Sequence, residues 1–319
     1  MEYKIAWFTE GGWTGQVPRN HPNMRNDMAW MHTLDVVHHP IVHLPSMKDN
    51  EYDIGIITIP KTNIEQLIQV DIMKQLKRVC KKVGTMQEGP HWYFQDYTME
   101  QQIWFYNLLA ELDFIWCHNE IDLKYYKGLT DKKCYVNPTL MIEDFIESES
   151  KDRKGVIIGG NMVRWYGGFD SYIIATAFDE DIYAPSMGRK IDREDEMDIN
   201  HLPYMTWVEW IRSLSSFKYA VHLMPTWAAG TFTLNCAYWG IPCIGYKGLD
   251  TQHLHPSLSV DYGDLDTAKI LAKRLKIDED FYQKCSTECK NLYRNSSFRE
   301  KKYINTMTNV LKEVMNEKN

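Results

Sequence analysis

A chain of 319 residues with 44% hydrophobic and 25% charged side chains has the make-up of a folded globular protein, which excludes a disordered or fibrous one, and its length suits two domains with a core each. A formal net charge of −7 excludes broad, non-specific attraction to nucleic acid, because phosphate binding rests on lysine and arginine; a local basic groove stays open. Seven scattered cysteines, mostly in apolar stretches, read as reduced core residues, and no apolar run approaches the roughly 18 to 20 residues of a membrane span, so the expectation is a cytoplasmic protein with no membrane partner.

In chain order, Tyr3 to Thr9 reads as an opening strand and Tyr52 to Pro60 as a buried one, with Lys82 to Met86 and Phe114 to Cys117 continuing the series. Between them, Asn63 to Lys81 and Thr98 to Leu112 carry apolar residues at three and four spacing, as helices lying on a sheet do. Alternation of this kind marks parallel βαβ units. His38, His39 and His43 fall along a further expected strand with no carboxylate nearby in sequence, so no metal is expected there.

Near residues 143 to 154 the chain turns polar and charged, and the domain boundary is expected there. A second series follows: strand from Gly155, helix from Ser171 to Phe178, strand from Ile182 to Ala184, helix from Trp207 to Leu214, strand from Tyr219 to Met224. A helix around Thr233 to Tyr238, the strand Pro242 to Tyr246 and a long helical tail from Thr267 complete it. The fold class expected is α/β, with two Rossmann-like domains facing a cleft: residues 1–145, residues 155–300, and a C-terminal helix, 301–319, packing back on the first domain. Asp179 and Asp181 precede a strand, where a D-x-D metal site follows one, and read as a solvated turn.

Open α/β sheets bind ligands at the carboxyl ends of their strands, so the loops there hold the chemistry. Lys218 to Gly245 reads strand, small-residue loop, helix, glycine, strand. Its loop, Pro225 to Thr231, includes Thr226, Ala228, Ala229 and Gly230, with Thr231 and Thr233 as candidate caps. A helix start offers unpaired N–H groups and a positive dipole end that suit a diphosphate; an ordinary βαβ turn fits the same residues. Val156 to Gly168 places Gly159 and Gly160 after a strand, where they permit close backbone approach, with Arg164 able to supply charge. Val83 to Trp92 sets Glu88 beyond a strand and before Gly89, Pro90 and His91. Glu10 to Arg25, rich in Gly, Trp, Arg, His and Asn, is a long polar loop of the kind that is often functional.

The segment from Lys218 to Gly245 resembles the donor-binding segment of GT-B glycosyltransferases, with their small-residue loop, helix and G-x-P-x-I/V strand. Val156 to Gly168 and the Glu88 loop are similar to the corresponding parts of phage DNA glucosyltransferases. The resemblance implies a nucleotide sugar, UDP-linked in first place, with no tightly bound metal. Gly11, Gly12, Gly159, Gly160, Arg164, Thr226, Gly230, Thr231 and Thr233 are the donor-binding candidates, and Asn235 stands where such enzymes grip the ribose. Glu88 stands where the phage enzymes carry a catalytic aspartate, implying an inverting transferase in which one carboxylate takes the acceptor's proton. Trp13, Arg19, His21, Arg25 and His91 are the acceptor candidates.

The similarity to phage enzymes points to a hydroxymethylated pyrimidine in DNA as acceptor, with Lys74, Lys77, Arg78, Lys81, Lys82, Arg19 and Arg25 available to a basic face. The acidic net charge favours a saccharide or small molecule instead. A non-catalytic nucleotide-sugar-binding protein on the same fold is the third reading. A nicotinamide-dependent oxidoreductase is disfavoured, because the opening strand leads into EGGWTG where a G-x-G-x-x-G would stand.

Overall fold

The structure, a computed structural model, describes residues 2–24, 26–60, 64–69, 71–144, 146, 152–160, 162–186, 193–227 and 230–316, with backbone only at 66, 69 and 164. The chain divides into two compact units, Met1–Pro138 with Glu300–Asn319, and Thr139–Arg299.

Unit 1 is built on seven strands: β1 (Ile5–Thr9), β2 (Gly15–Gln16), β3 (Val37–Pro40), β4 (Tyr52–Ile59), β5 (Cys80–Gln87), β6 (Phe114–Cys117) and β7 (Lys133–Val136). Their order is β2-β3-β1-β4-β5-β6-β7, parallel throughout except for the edge strand β2. Near-continuous apolar runs such as YDIGIITI suit this sheet, because helices cover both faces of a parallel sheet. The helices are α1 (Asp27–Thr33), α2 (Glu65–Gln69), α3 (Ile72–Val79), α4 (Met99–Glu111) and α5 (Glu120–Leu129).

Two expected bounds are corrected. The single helix expected from 63 to 81 is two, because the Asp71 carboxylate accepts the Lys74 N–H and starts a new helix; residues 61–63 and 70 lie outside the described residues. That helix gives way to β5 at Cys80, which is in register with Tyr52. Helix α4 starts at a capping box, in which Thr98 and Gln101 satisfy each other's backbone N–H groups.

Unit 2 carries β8 (Val156–Ile158), β9 (Ile182–Ala184), β10 (Asn200–His201), β11 (Tyr219–His222), β12 (Cys243–Tyr246) and β13 (Ser259–Val260), all parallel, in the order β10-β9-β8-β11-β12-β13. Its helices are α6 (Gly168–Ala175), α7 (Trp207–Leu214), α8 (Phe232–Trp239), α9 (Leu265–Ile277) and α10 (Glu279–Asn295). The helix expected from Ser171 starts three residues earlier and ends at Ala175, passing into a 3₁₀ turn over Thr176–Phe178. Asp179, left-handed at φ 52°, is an exposed turn residue paired with Lys276. The core joins Val156, Ile158, Phe178, Val221 and Ile244 to Ala268 and Ala272 of α9.

The chain leaves unit 1 at Pro138, ahead of the polar run, because Thr139 to Ile142 are buried and the Met141 N–H donates to Phe298 O at 2.9 Å. It returns for the last helix, Glu300–Asn316, which packs on unit 1 through Tyr303, Met307, Leu311 and Val314, a stripe at helical spacing. The Tyr303 hydroxyl donates to Asn137 Oδ1 at 2.6 Å, so the stripe carries a satisfied polar contact within it. All seven cysteines are buried and free of disulfides, and among the described residues no helix is long and apolar enough to cross a membrane.

Leu311→Ala should lower stability in urea by about 2–5 kcal/mol through the cavity it leaves. The same change at neighbouring, half-exposed Lys312 should stay within about 0.5 kcal/mol.

Candidate active site

Each sheet reverses its strand order at one point, between β1 and β4 in unit 1 and between β8 and β11 in unit 2. The loops beyond the strand ends part at such a reversal and leave room for a ligand.

In unit 2 the Gly159 N–H donates to Val221 O at 2.9 Å, and a Cβ on Gly159 would fall 2.2 Å from His222 Nδ1 and 2.8 Å from Phe232 Cδ1. Only glycine therefore lets the end of β8 lie against the last residue of β11. Gly167, left-handed at φ 63°, meets Leu223 in the same way: a Cβ there would sit 1.8 Å from its carbonyl oxygen. Two glycines thus let the chain after β8 pass close to the end of β11. Burial pushes the His222 imidazole down to about 4, partly offset by the Gly159 backbone, and does the same to His255, so both are neutral near neutral pH.

Helix α8 begins beside this junction. Thr231 holds its N-cap position in a helical conformation (φ −100°, ψ −16°), and its side chain makes no capping bond. This corrects the expectation that Thr231 or Thr233 caps the helix, since a cap reaches the first turn from an extended backbone. Thr233 is buried and its hydroxyl is bonded to that of Thr251, which also donates to Gly230 O at 3.3 Å. Thr226 is buried, and Gly160 turns the chain at φ 72° against Tyr166. Asn235 is fully buried within α8, and neither its amide oxygen nor its amide nitrogen has a hydrogen-bond partner. The Arg164 side chain, Arg25, Ala228 and Ala229 lie outside the described residues.

In unit 1, acid–base groups gather at the strand ends. Glu88 follows β5, exposed, with its N–H bonded to Ile59 O at 2.8 Å. Its negative charge adds to burial in raising the Asp27 carboxyl at the start of α1, against the pull of the Met28 N–H. His91 Nδ1 lies 2.6 Å from Asp122 Oδ1, and the same oxygen accepts the His91 backbone N–H at 3.2 Å. The buried His118 donates from Nε2 to Gln87 O at 2.7 Å, and burial holds its imidazole below the ordinary range. Gln87 Nε2, His118 Nδ1 and Asp122 Oδ2 are buried without partners, and each is a polar group that calls for an explanation.

The loop after β1 is packed on a histidine that sequence reading set aside. His38 bonds Trp13 O and Thr9 Oγ1 (2.7 Å), and Gly12 lies against its ring. Trp13 stacks on His21, centroids 5.9 Å apart, while Gly11 has open space about it. Trp30 is core, with its indole N–H on Pro138 O. Arg19 forks onto Glu300 at 3.1 and 3.2 Å. Lys77, Arg78, Lys81 and Lys82 likewise each sit on a carboxylate, of Glu111, Asp49, Asp53 and Asp113, so the cations expected to form a basic face are largely neutralised where they stand. Among the described residues no three His, Cys, Asp or Glu side chains are placed to hold a metal ion.

Sequence reading missed Asp122 and His118 and gave Asp27 no role. The pairs that reveal them, His91 with Asp122 and His118 with Gln87, span 31 residues each and leave no local pattern.

No protein-family model and no curated protein matches the sequence. Solved structures do match in fold. HepE of Anabaena, in complex with UDP-glucose, superposes with a TM-score of 0.69 at 10% identity over 98% of this chain and 100% of that one. An alpha-glucosyltransferase in complex with UDP and a 13-mer DNA gives 0.62 at 13% identity over 96% and 99%. The pneumococcal O-GlcNAc transferase GtfA, with UDP and GlcNAc, gives 0.64 at 11% identity over 87% of this chain, which spans only 60% of GtfA's length. The architecture is therefore the GT-B fold, two Rossmann-like units, as expected.

Gly159→Ala should destabilise the protein by about 1–3 kcal/mol, read from urea unfolding, because no flexible group can yield to the new methyl. For His222 and His255 the unfolded chain takes up protons between pH 6.5 and about 4 that the folded chain refuses. Stability should therefore be retained above that window and lost as pH falls through it, by up to about 3 kcal/mol for each histidine. His222→Asn should flatten that dependence in urea melts taken across the window.

Proposed function

We propose that the protein is a glycosyltransferase that moves a sugar from a UDP-sugar to an acceptor hydroxyl with inversion. The observation that carries this reading is the glycine-enforced approach of the chain after β8 to the end of β11 at the strand-order reversal of unit 2, beside a helix start that its N-cap residue, Thr231, does not cap with its side chain. Backbone N–H groups and a positive helix end at such a place suit a diphosphate. Complexes of neighbours in fold with UDP or UDP-glucose support UDP as the nucleotide.

Gly159, Gly160, Gly230 and Thr231 approach the diphosphate, Arg164 adds charge, and Thr226 lies in the same loop. The Asn235 amide, with both atoms free to bond, takes a ribose hydroxyl. Gly11 is the position after β1 around which a ligand has room. The acceptor oxygen attacks the anomeric carbon as the bond to the β-phosphate oxygen breaks; UDP leaves with the electron pair, and the acceptor proton passes to the Glu88 carboxylate.

For the acceptor, a saccharide or other small hydroxyl compound is favoured, because Arg19, Lys77, Arg78, Lys81 and Lys82 are already paired with carboxylates. A hydroxymethylated pyrimidine in DNA is the second reading, supported by the neighbour whose complex contains DNA. Retention of hydroxymethylcytosine duplex at low salt, lost as salt rises, would favour that second reading.

Glu88→Gln should abolish transfer from UDP-glucose while the thermal shift given by UDP stays within about twofold of wild type; normal transfer by this variant would remove Glu88 from the mechanism. Asn235→Leu separates ligand binding from packing. It should leave the free protein as stable or more stable by about 1 kcal/mol, since an unpartnered buried amide is lost, yet weaken UDP binding about tenfold in calorimetry.

A further inference from the structure

The proposed reaction leaves Asp122 without a task. The start of α5 is already capped, for Asn119 Oδ1 accepts the N–H groups of both Ile121 and Asp122 at 2.9 Å. The Asp122 carboxylate in this first turn is free to serve elsewhere, and its Oδ1 takes two N–H groups of His91, from the backbone and from Nδ1. Its side chain is 1% exposed and that of His91 15%. The His91 ring lies on Tyr125, centroids 4.3 Å apart at 26°, so its plane is fixed as well as its edge.

A carboxylate oxygen only accepts, and the backbone N–H beside it only donates. The proton of the neutral imidazole therefore sits on Nδ1, and Nε2 keeps its lone pair. Among the described residues none bonds Nε2.

We infer that His91 and Asp122 form a reader of the acceptor. Asp122 is a positioning residue that holds His91 as the Nδ1–H tautomer, and His91 Nε2 accepts a hydrogen bond from a second donor group on the acceptor, a hydroxyl or an amine N–H, beside the hydroxyl to be glycosylated. The identity of the substrate rests on the transferase reading; the tautomer does not. The pair selects acceptors that present two neighbouring donors, as a polyhydroxyl compound or an aminopyrimidine carrying a hydroxymethyl group does. An acceptor with an ether or carbonyl oxygen in that place leaves Nε2 facing a lone pair and should lose roughly tenfold to a hundredfold in kcat/KM.

The test is nitrogen NMR of the histidine rings in the full chain. Wild type should show His91 protonated on Nδ1 and bare at Nε2. Asp122→Asn should keep that pattern, because an amide oxygen serves the same two N–H groups. Asp122→Leu should release the ring to the Nε2–H form. Addition of methyl β-D-glucoside or 5-hydroxymethyl-2′-deoxycytidine should shift the Nε2 resonance in wild type and in the Asn variant only, and the probe that does so separates a saccharide from a pyrimidine. A wild-type ring protonated on Nε2, or an Nε2 resonance that neither probe moves, overturns the proposal, and both are read on wild type, whatever the folding of the Leu variant. Failure of the transferase reading looks different: UDP-glucose gives no thermal shift while His91 still answers to the probes.

Discussion

A parallel strand reaches its neighbour only by a connection that crosses over the sheet, and this constraint governs where the protein can do chemistry. With every strand but β2 running the same way within its sheet, the loops that follow the strands collect at one end, and the helices take up the other space. Glu88, His91 and His118 follow β5 and β6 at that end of unit 1; Gly159 and the segment leading into α8 follow β8 and β11 at that end of unit 2. Their gathering follows from strand direction and strand order.

The two ends solve different physical problems. In unit 2 several polar groups are withdrawn: His222 and His255 are held neutral by burial, Thr233 is turned inward to Thr251, and Thr231 makes no side-chain capping bond at the start of α8. Backbone dipoles suit a ligand that brings its own charge. In unit 1 the ionisable side chains are kept, and Asp27 and Glu88 raise the cost of a second negative charge nearby. Such an arrangement suits proton transfer more than phosphate binding.

The features legible in the sequence were those written locally. Alternating apolar runs marked β4 and β6, the helical spacing of Thr98 to Leu112 marked α4, and the run from Lys218 to Gly245 disclosed its strand, helix and strand. The split at Asp71 was missed because a capping aspartate inside an amphipathic stretch looks like any other polar residue. Gly159 could be singled out as a glycine after a strand, but its reason, the His222 ring 63 residues further on, belongs to sheet order and not to spacing. The same holds for Asp122, whose place three residues after Asn119 reads as a plain helix start.

The last helix belongs to unit 1, yet unit 2 stands between it and the rest of that unit in the chain. During synthesis unit 2 is complete while the surface that receives Tyr303, Met307, Leu311 and Val314 is still bare. Domains tend to fold as they emerge, so here the second unit can finish before the first. The first unit spends that interval with the surface that receives this stripe uncovered, the kind of exposure that chaperones shield.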